Sequence, residues 1–342
     1  MTYCIVTIYK SQNCGSFLQA YALGKAVESL GGDVCYYRYR DRENKKIIKM
    51  IIKSLIKFNF RSVKRLLKQQ KTFKSLTGSF HKTTSKTLPF YILGSDTIWD
   101  ISSPFFGRRH SIFFGEIFTK SRVFSYAPSI GYANKNDFLS AIWIKEALAH
   151  LDCISVREKR ARDVISQFTD KPISLVCDPT LLIPKEIYCK LAGKESRKGT
   201  LLIYFYGKIP DEYKSELRDI ASSENLKLVS FGSSNPWCDT IEPFDPVCFL
   251  ALYRDSEYVF TNTFHGTVFA HIYNKRFAVA EENKPKIQDF LAKMGTSEKS
   301  VSHNKSIKSV FDSEFDFDEI NRVMSEERSS GISYLAECTG LK

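Results

Sequence analysis

The chain has 342 residues, of which 43% are hydrophobic and 26% are charged, an ordinary globular composition that leaves little room for extended disorder. This length suits two α/β domains, each large enough to bury its own core. The net charge of +12 would suggest nucleic-acid binding if it were spread over the chain, but residues 45–76 carry eleven Lys or Arg and no Asp or Glu, so the remainder is nearly neutral.

Cysteine usage and hydropathy are typical of a protein of the reducing cytoplasm. The nine cysteines include no CxxC pair and mostly lie in apolar runs, as reduced core thiols do, so no structural metal is expected. The N-terminus lacks the pattern of a signal peptide, and no segment approaches the roughly 20 apolar residues of a membrane span. A secreted or membrane-spanning protein is therefore not expected.

The chain opens with the pattern of a β-loop-α-β unit. A buried-strand candidate at 4–8 leads through a polar turn at 11–16 into helical apolar spacing at 18–30 and a second strand candidate at 34–37. Because such a unit forces a parallel sheet, the turn is expected at the carboxyl edge of that sheet, where ligands bind. The candidate ligand contacts in this turn are Asn13, Gly15 and Ser16.

Residues 45–76 combine their basic charge with an apolar stripe at three- and four-residue spacing, which predicts one or two amphipathic helices. One interpretation is a helix that covers the N-terminal domain and keeps a solvated basic face. The other is a docking surface for an anionic membrane, to which each Lys or Arg contributes on the order of 1 kcal/mol. Nucleic acid is not expected as a partner, since no recognised nucleic-acid-binding motif accompanies the charge.

A second polar turn follows the strand candidate at 88–93. It contains Ser95 and Asp96, which again are expected at the carboxyl end of a strand. Asp96 is a candidate to bind a sugar hydroxyl or to act as a base, and the alternative is an N-cap of the segment 97–99.

Arg157 follows directly on the strand candidate at 153–156, after a strand at 122–127 and a helix at 138–151. A guanidinium at a strand end is well placed to bind a carboxylate or phosphate bidentately. A local ion pair within the following helix is the alternative interpretation.

The polar, aperiodic segment 195–199 predicts a linker. The domains are therefore expected at 1–195 and 196–342, with 45–76 as an insert in the first and a final helix at 315–328 packing back on it. The second domain shows its own alternation, with strands at 200–206, 227–231, 258–260 and 276–280 and helices at 211–222, near 245–252, after 266 and from about 285. Two doubly wound α/β domains facing across a cleft, the plan of GT-B enzymes, are the predicted fold.

The turn after the strand 258–260 is the strongest candidate site. His265 would face the crevice at the sheet's carboxyl edge, where an imidazole can donate to a phosphate or carboxylate or transfer a proton near neutral pH. Gly266 allows close backbone approach, Thr267 offers a hydroxyl, and the free N–H groups of the next helix favour an anion. The alternative is that Thr263 merely caps the helix and that His265 is a partly buried residue bonded to a backbone carbonyl.

Taken together, these motifs resemble those of the polysaccharide pyruvyl transferase family. They occur in the family's order over roughly residues 4–282, which is more specific than any one of them. The matching segments are 15–23, 94–99, 125–131, 154–158, 177–180 and 264–267.

The resemblance implies a GT-B-like fold and transfer of pyruvate from phosphoenolpyruvate to two hydroxyls of a sugar, leaving a cyclic ketal. It assigns donor binding to Arg157 and an essential role to His265, for which we expect donor binding and general acid catalysis, with Asp96 as a candidate contact for the acceptor hydroxyls. Many members carry an arginine two residues before the histidine, where this chain has Thr263. Either Lys208 or Arg254 therefore substitutes for this cation, or the donor is bound more weakly.

The same resemblance indicates the partners. The expected acceptor is a sugar or lipid-linked oligosaccharide in exopolysaccharide, capsule or cell-wall glycan synthesis, and no cofactor is expected besides phosphoenolpyruvate as donor substrate. The expected location is the cytoplasm, with peripheral attachment to the inner face of the plasma membrane through 45–76. Two alternatives remain, namely a GT-B glycosyltransferase that uses a nucleotide sugar and a catalytically inactive relative that binds glycan or membrane.

Overall fold

The computed structural model describes residues 1–11, 13–39, 43–56, 58–104, 107–194, 196–232, 235–280, 284–301 and 305–341. The strands are β1 (Thr2–Val6), β2 (Asp33–Tyr37), β3 (Lys82–Thr83), β4 (Phe90–Leu93), β5 (Arg122–Ser125), β6 (Ile154–Val156), β7 (Ile173–Leu175), β8 (Thr200–Tyr204), β9 (Lys227–Phe231), β10 (Thr240–Glu242), β11 (Tyr258–Thr261) and β12 (Arg276–Val279).

The helices alternate with these strands along the chain. They are α1 (Cys14–Ser29), α2 (Glu43–Ile56), α3 (Phe60–Gly78), α4 (Lys135–Leu139), α5 (Ile144–His150), α6 (Lys159–Ile165), α7 (Lys185–Leu191), α8 (Asp211–Ser223), α9 (Pro246–Asp255), α10 (Phe264–Ile272), α11 (Pro285–Lys293), α12 (Ile307–Asp312) and α13 (Phe317–Thr339).

Contacts divide the chain into two compact units. The first unit comprises Met1–Arg42, Leu76–Ile183 and Glu326–Lys342, and the second comprises Glu43–Ser75 and Pro184–Ser325. The basic insert, predicted as part of the N-terminal domain, thus clusters with the second unit. One reason is a hydrogen bond from the Thr72 hydroxyl to the Asp245 carboxylate at 2.9 Å.

The first unit contains a parallel sheet with the strand order β3-β2-β1-β4-β5. The central strand β1 pairs with β2 on one side and with β4 on the other. Its residues Tyr3 to Val6 are fully buried, as expected for a strand covered on both faces. A further parallel pair, β6 and β7, adjoins this sheet through a bridge between Phe124 and Cys153.

The second unit repeats this arrangement. Its parallel sheet has the order β10-β9-β8-β11-β12, so β8 and β11 occupy the places that β1 and β4 occupy in the first sheet. In each sheet the chain therefore reverses its direction of winding between these two central strands. Such a switch point leaves a crevice at the carboxyl ends of the strands, which is where open α/β sheets bind ligands.

The predicted fold class is confirmed, since both units are Rossmann-like and their main sheets are parallel. Two helices differ from their predicted bounds by more than a few residues. The predicted helix 138–151 is divided into α4 and α5 by a turn in which Ile144 N donates to Ala141 O at 3.0 Å. The last helix runs on to Thr339 because Tyr334, Leu335 and Cys338 continue its buried face. None of the helices in the described ranges combines the length and hydropathy needed to cross a membrane.

Candidate functional site

The switch point of the first sheet brings together the turns after β1 and β4. Asn13 begins α1 as its N-cap, accepting from Gly15 N at 2.9 Å, which is the usual role of such a residue. The hydroxyl of Ser16 donates to Asp96 Oδ2 at 2.5 Å, and Asp96 also accepts from Thr97 N at 2.7 Å. The predicted residues Asn13, Gly15, Ser16 and Asp96 thus form one local cluster, and their contact with a ligand stays a prediction.

A buried amide, which the sequence did not single out, links the same two turns. Gln19 accepts from Ser95 N at 3.1 Å and donates to Ile8 O at 3.1 Å and to the Thr7 hydroxyl at 3.0 Å. The hydroxyl of Ser95, a predicted substrate contact, donates to Ala127 O at 2.7 Å. Ser95 is fully buried, so these bonds indicate that it fixes the turn around Asp96.

Arg157 lies after β6 within a buried set of carboxylates. Its guanidinium donates to Asp178 Oδ2 at 2.6 Å and to Glu158 Oε2 at 3.4 Å. Burial lowers the pKa of Arg157, but the negative charges of Asp178, Glu158 and Asp96 outweigh burial, so the net pKa is raised. The structure therefore bears out the ion pair, although the strongest partner lies beyond the local helix, and donor binding by Arg157 stays a prediction.

A chain of hydrogen bonds connects Arg157 to Asp96. The Ser129 hydroxyl donates to Glu158 Oε1, and Ser129 N donates to Asp96 O at 2.9 Å. Arg157 N donates to Pro128 O at 3.4 Å. The turn after β5 thus links these predicted catalytic residues of the first unit, and it lies in the segment 125–131 that carries part of the resemblance.

The switch point of the second sheet contains the turn from β11 into α10. Thr263 is the N-cap of α10, and its hydroxyl accepts from Gly266 N at 3.0 Å. Thr267 donates its backbone N–H and its hydroxyl to Thr263 O, each at 3.0 Å. A Cβ on residue 266 would lie 2.3 Å from the Thr261 hydroxyl and 2.4 Å from the Thr263 hydroxyl. These contacts explain the glycine and show how Thr263, Gly266 and Thr267 build the turn, while their contact with a ligand stays a prediction.

The two histidines of α10 lie in different surroundings. His265 is in the first turn of the helix, 7% exposed, with its ring edge-on to Phe264 at a centroid distance of 5.3 Å. His271 is 1% exposed, and its ring nitrogens contact Thr267 O at 2.8 Å and the Thr296 hydroxyl at 3.0 Å. Burial lowers the pKa of His271 to about 4. His271 is therefore a neutral core residue at pH 7, whereas His265 lies at the ligand edge of the sheet.

The two cations expected to replace an arginine at position 263 lie at opposite edges of the second sheet. Lys208 is exposed in the turn after β8, at the carboxyl edge. Arg254 lies in the last turn of α9, just before β11 begins, and hence at the amino edge. It forms two 2.7 Å bonds with the Asp255 carboxylate and donates to Gly193 O at 2.6 Å. Arg254 is therefore the wrong candidate, because the strand β11 separates it from His265.

Two further residues at this switch point were missed by sequence analysis. The Asn262 side chain accepts from Tyr206 N and donates to Tyr206 O, both at 2.8 Å, which ties the turns after β8 and β11 together. Lys284, after β12, donates to Asn262 O at 2.6 Å. Asn262 lies two residues before the matched segment 264–267 and could have been noticed. Lys284 carried no recognisable signal, because the sequence around it matches no motif.

Among the described residues there is no group of three or more His, Cys, Asp or Glu side chains that could hold a metal ion. The polar groups at both switch points are hydroxyls, amides, carboxylates, lysines and an imidazole. Such groups can bind the phosphate, carboxylate and hydroxyl groups of a small substrate.

Comparisons with known proteins bear on both fold and family. The family model described as "Polysaccharide pyruvyl transferase" matches residues 13–282, whereas a comparison with curated proteins found no match. Among solved structures, the chain is similar to a putative UDP-N-acetylglucosamine 2-epimerase from Listeria monocytogenes, with a TM-score of 0.56 and 11% identity over 98% of this chain and 95% of that chain.

Two other solved structures show a similar degree of likeness. The UDP-GlcNAc 2-epimerase from Neisseria meningitidis bound to UDP-GlcNAc gives a TM-score of 0.53 with 9% identity over 99% of both chains. The S. aureus MnaA-UDP co-structure gives 0.52 with 12% identity over 100% of this chain and 97% of that chain. At these identities the likeness concerns the fold alone.

Proposed function

The chain belongs to the polysaccharide pyruvyl transferase family, and we propose that it moves pyruvate from phosphoenolpyruvate onto two hydroxyls of a sugar to form a cyclic ketal. The methylene carbon of the donor gains a proton, and C2 gains a bond to each of the two sugar oxygens. The C2–O bond to phosphate breaks, and the two hydroxyl protons go to the methyl group and to the departing phosphate. The reaction needs neither an oxidant nor a further co-reactant.

The observation that carries the proposal is the position of His265. It lies in the first turn of α10, at the switch point of the second sheet, in a segment that the family model covers. The positive end of a helix dipole favours an anion at this place, and the donor brings both a phosphate and a carboxylate. An imidazole at this turn can donate a hydrogen bond to the donor and pass the proton that ketal formation requires.

Asp96 and Arg157 have separate roles in the proposal. Asp96 is proposed to bind the acceptor hydroxyls, because its carboxylate lies at the switch point of the first sheet and already accepts the Ser16 hydroxyl. Arg157 is proposed as a donor-binding residue on the strength of the resemblance. The ion pair with Asp178 keeps the Arg157 guanidinium in one orientation, and such pre-organisation favours bidentate binding of a phosphate or carboxylate.

The experiment that tests the function is phosphate release from phosphoenolpyruvate in the presence of candidate sugar acceptors. We expect release that depends on the acceptor and is lost in His265→Ala. His81→Ala is the matched control, because His81 is exposed on the first unit. Release of nucleotide from UDP-sugars, with phosphoenolpyruvate left intact, would support the glycosyltransferase alternative. Absence of saturable binding of either donor would support an inactive binding relative.

We also propose that α2 and α3 place the enzyme on the anionic inner face of the plasma membrane, near a lipid-linked acceptor. On α2 the residues Ile48, Ile52 and Ile56 recur every fourth position, and they are 50%, 50% and 72% exposed. Phe58, between the helices, and Phe60, the first residue of α3, are 80% and 65% exposed. A helix that covered a domain would bury this stripe, so the exposure favours insertion between lipid headgroups.

The lysines supply the electrostatic part of this interaction. Lys49 and Lys53 are exposed on α2 beside the stripe, and α3 adds Lys64, Lys68, Lys71 and Lys74. Lys45 and Lys46 belong to α2 by their backbone, while Lys57 and the side chains of residues 43–47 and 61 lie outside the described residues. Since each basic residue near an anionic surface contributes about 1 kcal/mol, the attraction is expected to be strong at low salt and to weaken as salt is added.

Vesicle sedimentation tests this proposal. Replacement of Lys45, Lys46, Lys49 and Lys53 by Gln should lower binding to vesicles with anionic lipid, without lowering activity on a soluble acceptor. The same replacement of four exposed lysines elsewhere in the second unit is the control for net charge, at Lys185, Lys190, Lys194 and Lys227. Equal binding to neutral and anionic vesicles would rule out electrostatic docking.

A further inference from the structure

The segment after β12 brings a lysine against the turn that contains His265. β11 and β12 are parallel neighbours with Thr261 opposite Val279, so their carboxyl ends are level. The ammonium of Lys284 donates to Asn262 O at 2.6 Å. Because that carbonyl carbon is bonded to the nitrogen of Thr263, the positive charge lies one peptide unit from the N-cap of α10.

A second lysine lies near the turn that contains His265. Lys286, in the first turn of α11, lies with its ammonium 5.9 Å from the centroid of the Phe264 ring. Burial and the positive charge of Lys286 both lower the pKa of Lys284. Like charges that are brought together and partly removed from water repel each other, and a bound anion would offset this repulsion.

Asn262, which Lys284 contacts, forms hydrogen bonds that connect neighbouring turns. Its side chain forms hydrogen bonds with both the N–H and the carbonyl of Tyr206, after β8. Its backbone carbonyl accepts a hydrogen bond from the ammonium of Lys284, after β12. The charge of Lys284 is thus fixed relative to the turns after β8 and β11, which are the two sides of the switch point.

We propose that Lys284 is a donor-binding residue, supplying the positive charge that position 263 lacks, with Lys286 as a weaker second contribution. This inference rests on the proposed function, since it assumes that the phosphate or carboxylate of phosphoenolpyruvate binds at the His265 turn. An ammonium has three donor hydrogens, so one can remain on Asn262 O while another binds the anion.

Lys284 fits this role better than the two cations that were expected from the sequence, Arg254 and Lys208. Arg254 lies at the amino edge of the sheet and is bound to Asp255. Lys208 is at the correct edge, but it is exposed, and a solvated lysine contributes less to anion binding than a half-buried one that a hydrogen bond already orients.

The test is calorimetric titration of the full chain with phosphoenolpyruvate and, separately, with inorganic phosphate. Lys284→Gln removes the charge but keeps a hydrogen-bond donor, and Lys284→Arg keeps the charge. Lys275→Gln is the matched control, because Lys275 is also half-buried and donates to two backbone carbonyls, Arg254 O at 2.7 Å and Ser256 O at 2.8 Å, at the amino edge of the sheet. Thermal unfolding is followed in parallel for all three variants.

Loss of one charge-assisted hydrogen bond should weaken phosphoenolpyruvate binding about 10- to 100-fold in Lys284→Gln. The dependence of its dissociation constant on salt should also become shallower, which a merely structural role would not produce. Lys284→Arg should bind within a few-fold of wild type, and Lys275→Gln should alter only thermal stability. If Lys284→Gln does not fold, the proposal is tested with Lys284→Arg, which conserves the charge. A dissociation constant and salt dependence that are unchanged from wild type then support the proposal, and a tenfold loss of phosphoenolpyruvate affinity overturns it.

The outcomes separate this inference from the proposed function. Wild-type affinity and salt dependence in Lys284→Gln would overturn the role of Lys284, but they would not bear on phosphoenolpyruvate as the proposed donor substrate. If the wild-type protein binds UDP-sugars but neither phosphoenolpyruvate nor phosphate, the proposed function is overturned. The role of Lys284 in binding phosphoenolpyruvate is then overturned as well.

Discussion

Replacement of Thr263 by Arg tests how this chain has arranged its candidate donor site. If position 263 faced an empty cation site, the new guanidinium would tighten phosphoenolpyruvate binding. The structure gives Thr263 a different task, because its hydroxyl accepts from Gly266 N at 3.0 Å and lies 3.0 Å from the Thr261 hydroxyl. We therefore expect Thr263→Arg to damage both the turn and donor binding.

The magnitude follows from these contacts. Loss of an N-cap hydroxyl costs about 1 kcal/mol of stability, and Thr263 is only 6% exposed, so the longer side chain must also displace its neighbours. We expect the free energy of unfolding to fall by about 1 kcal/mol in Thr263→Ala and by more in Thr263→Arg, because overpacking typically adds about 1–3 kcal/mol. Thr263→Ser keeps the cap and should stay within about 0.5 kcal/mol of wild type.

Urea unfolding and calorimetric titration with phosphoenolpyruvate should be measured on the same three variants. Donor affinity should follow the order wild type, Ser, Ala, Arg, since the arginine also repels the ammonium of Lys284 on Asn262 O. A Thr263→Arg variant with unchanged stability and at least tenfold tighter donor binding would refute this reasoning. It would show that the cap is dispensable and that a cation is missing from the site.

Three further variants probe other parts of the structure. Arg157→Ala should lower the free energy of unfolding by about 3–5 kcal/mol in urea, because it leaves the carboxylate of Asp178 buried without its cation. Burial lowers the pKa of His271 to about 4, whereas its pKa is about 6.5 in the unfolded chain. The free energy of unfolding should therefore decrease as the pH falls from about 6.5, by up to about 3 kcal/mol below pH 4. The urea midpoints of wild type and His271→Gln should diverge across this window. Asn262→Asp keeps the acceptor for Tyr206 N but loses the donor to Tyr206 O, and it should cost about 1–3 kcal/mol in the same assay.

Local sequence patterns were sufficient for the strands and for the turns that follow them. The strand 227–231 was predicted with the bounds that the structure gives, because an apolar run between polar ends is a local signal. The predicted contacts Asn13, Ser16, Ser95, Asp96 and the 263–267 turn all lie at the two switch points for the same reason, since parallel strands place the following turns at one edge.

Partners distant along the chain could not be predicted in this way. Arg157 precedes Glu158, which suggested a local ion pair, but the shorter contact is with Asp178, 21 residues away. Lys284 reaches Asn262 across 22 residues. The exposure of the apolar stripe on α2 was equally hidden, because its spacing is the same whether the stripe is buried or faces solvent.

In both sheets an amide side chain pairs with backbone groups at the switch point. Beyond the last paired residues the central strands diverge, so the backbone groups that follow lose their ladder partners, and buried unpaired groups are costly. A carboxamide carries the same donor and acceptor as a peptide unit and can therefore extend the ladder by one rung.

In the first unit Gln19 accepts from Ser95 N after β4 and donates to Ile8 O after β1. In the second unit Asn262, after β11, accepts from Tyr206 N and donates to Tyr206 O after β8. Through these bonds each amide fixes the turn that carries a proposed reactive group, Asp96 in the first unit and His265 in the second. A carboxylate of the same shape could not replace either amide, because it has no proton to donate, so the requirement for Gln and Asn at these positions arises from the geometry of the switch point itself.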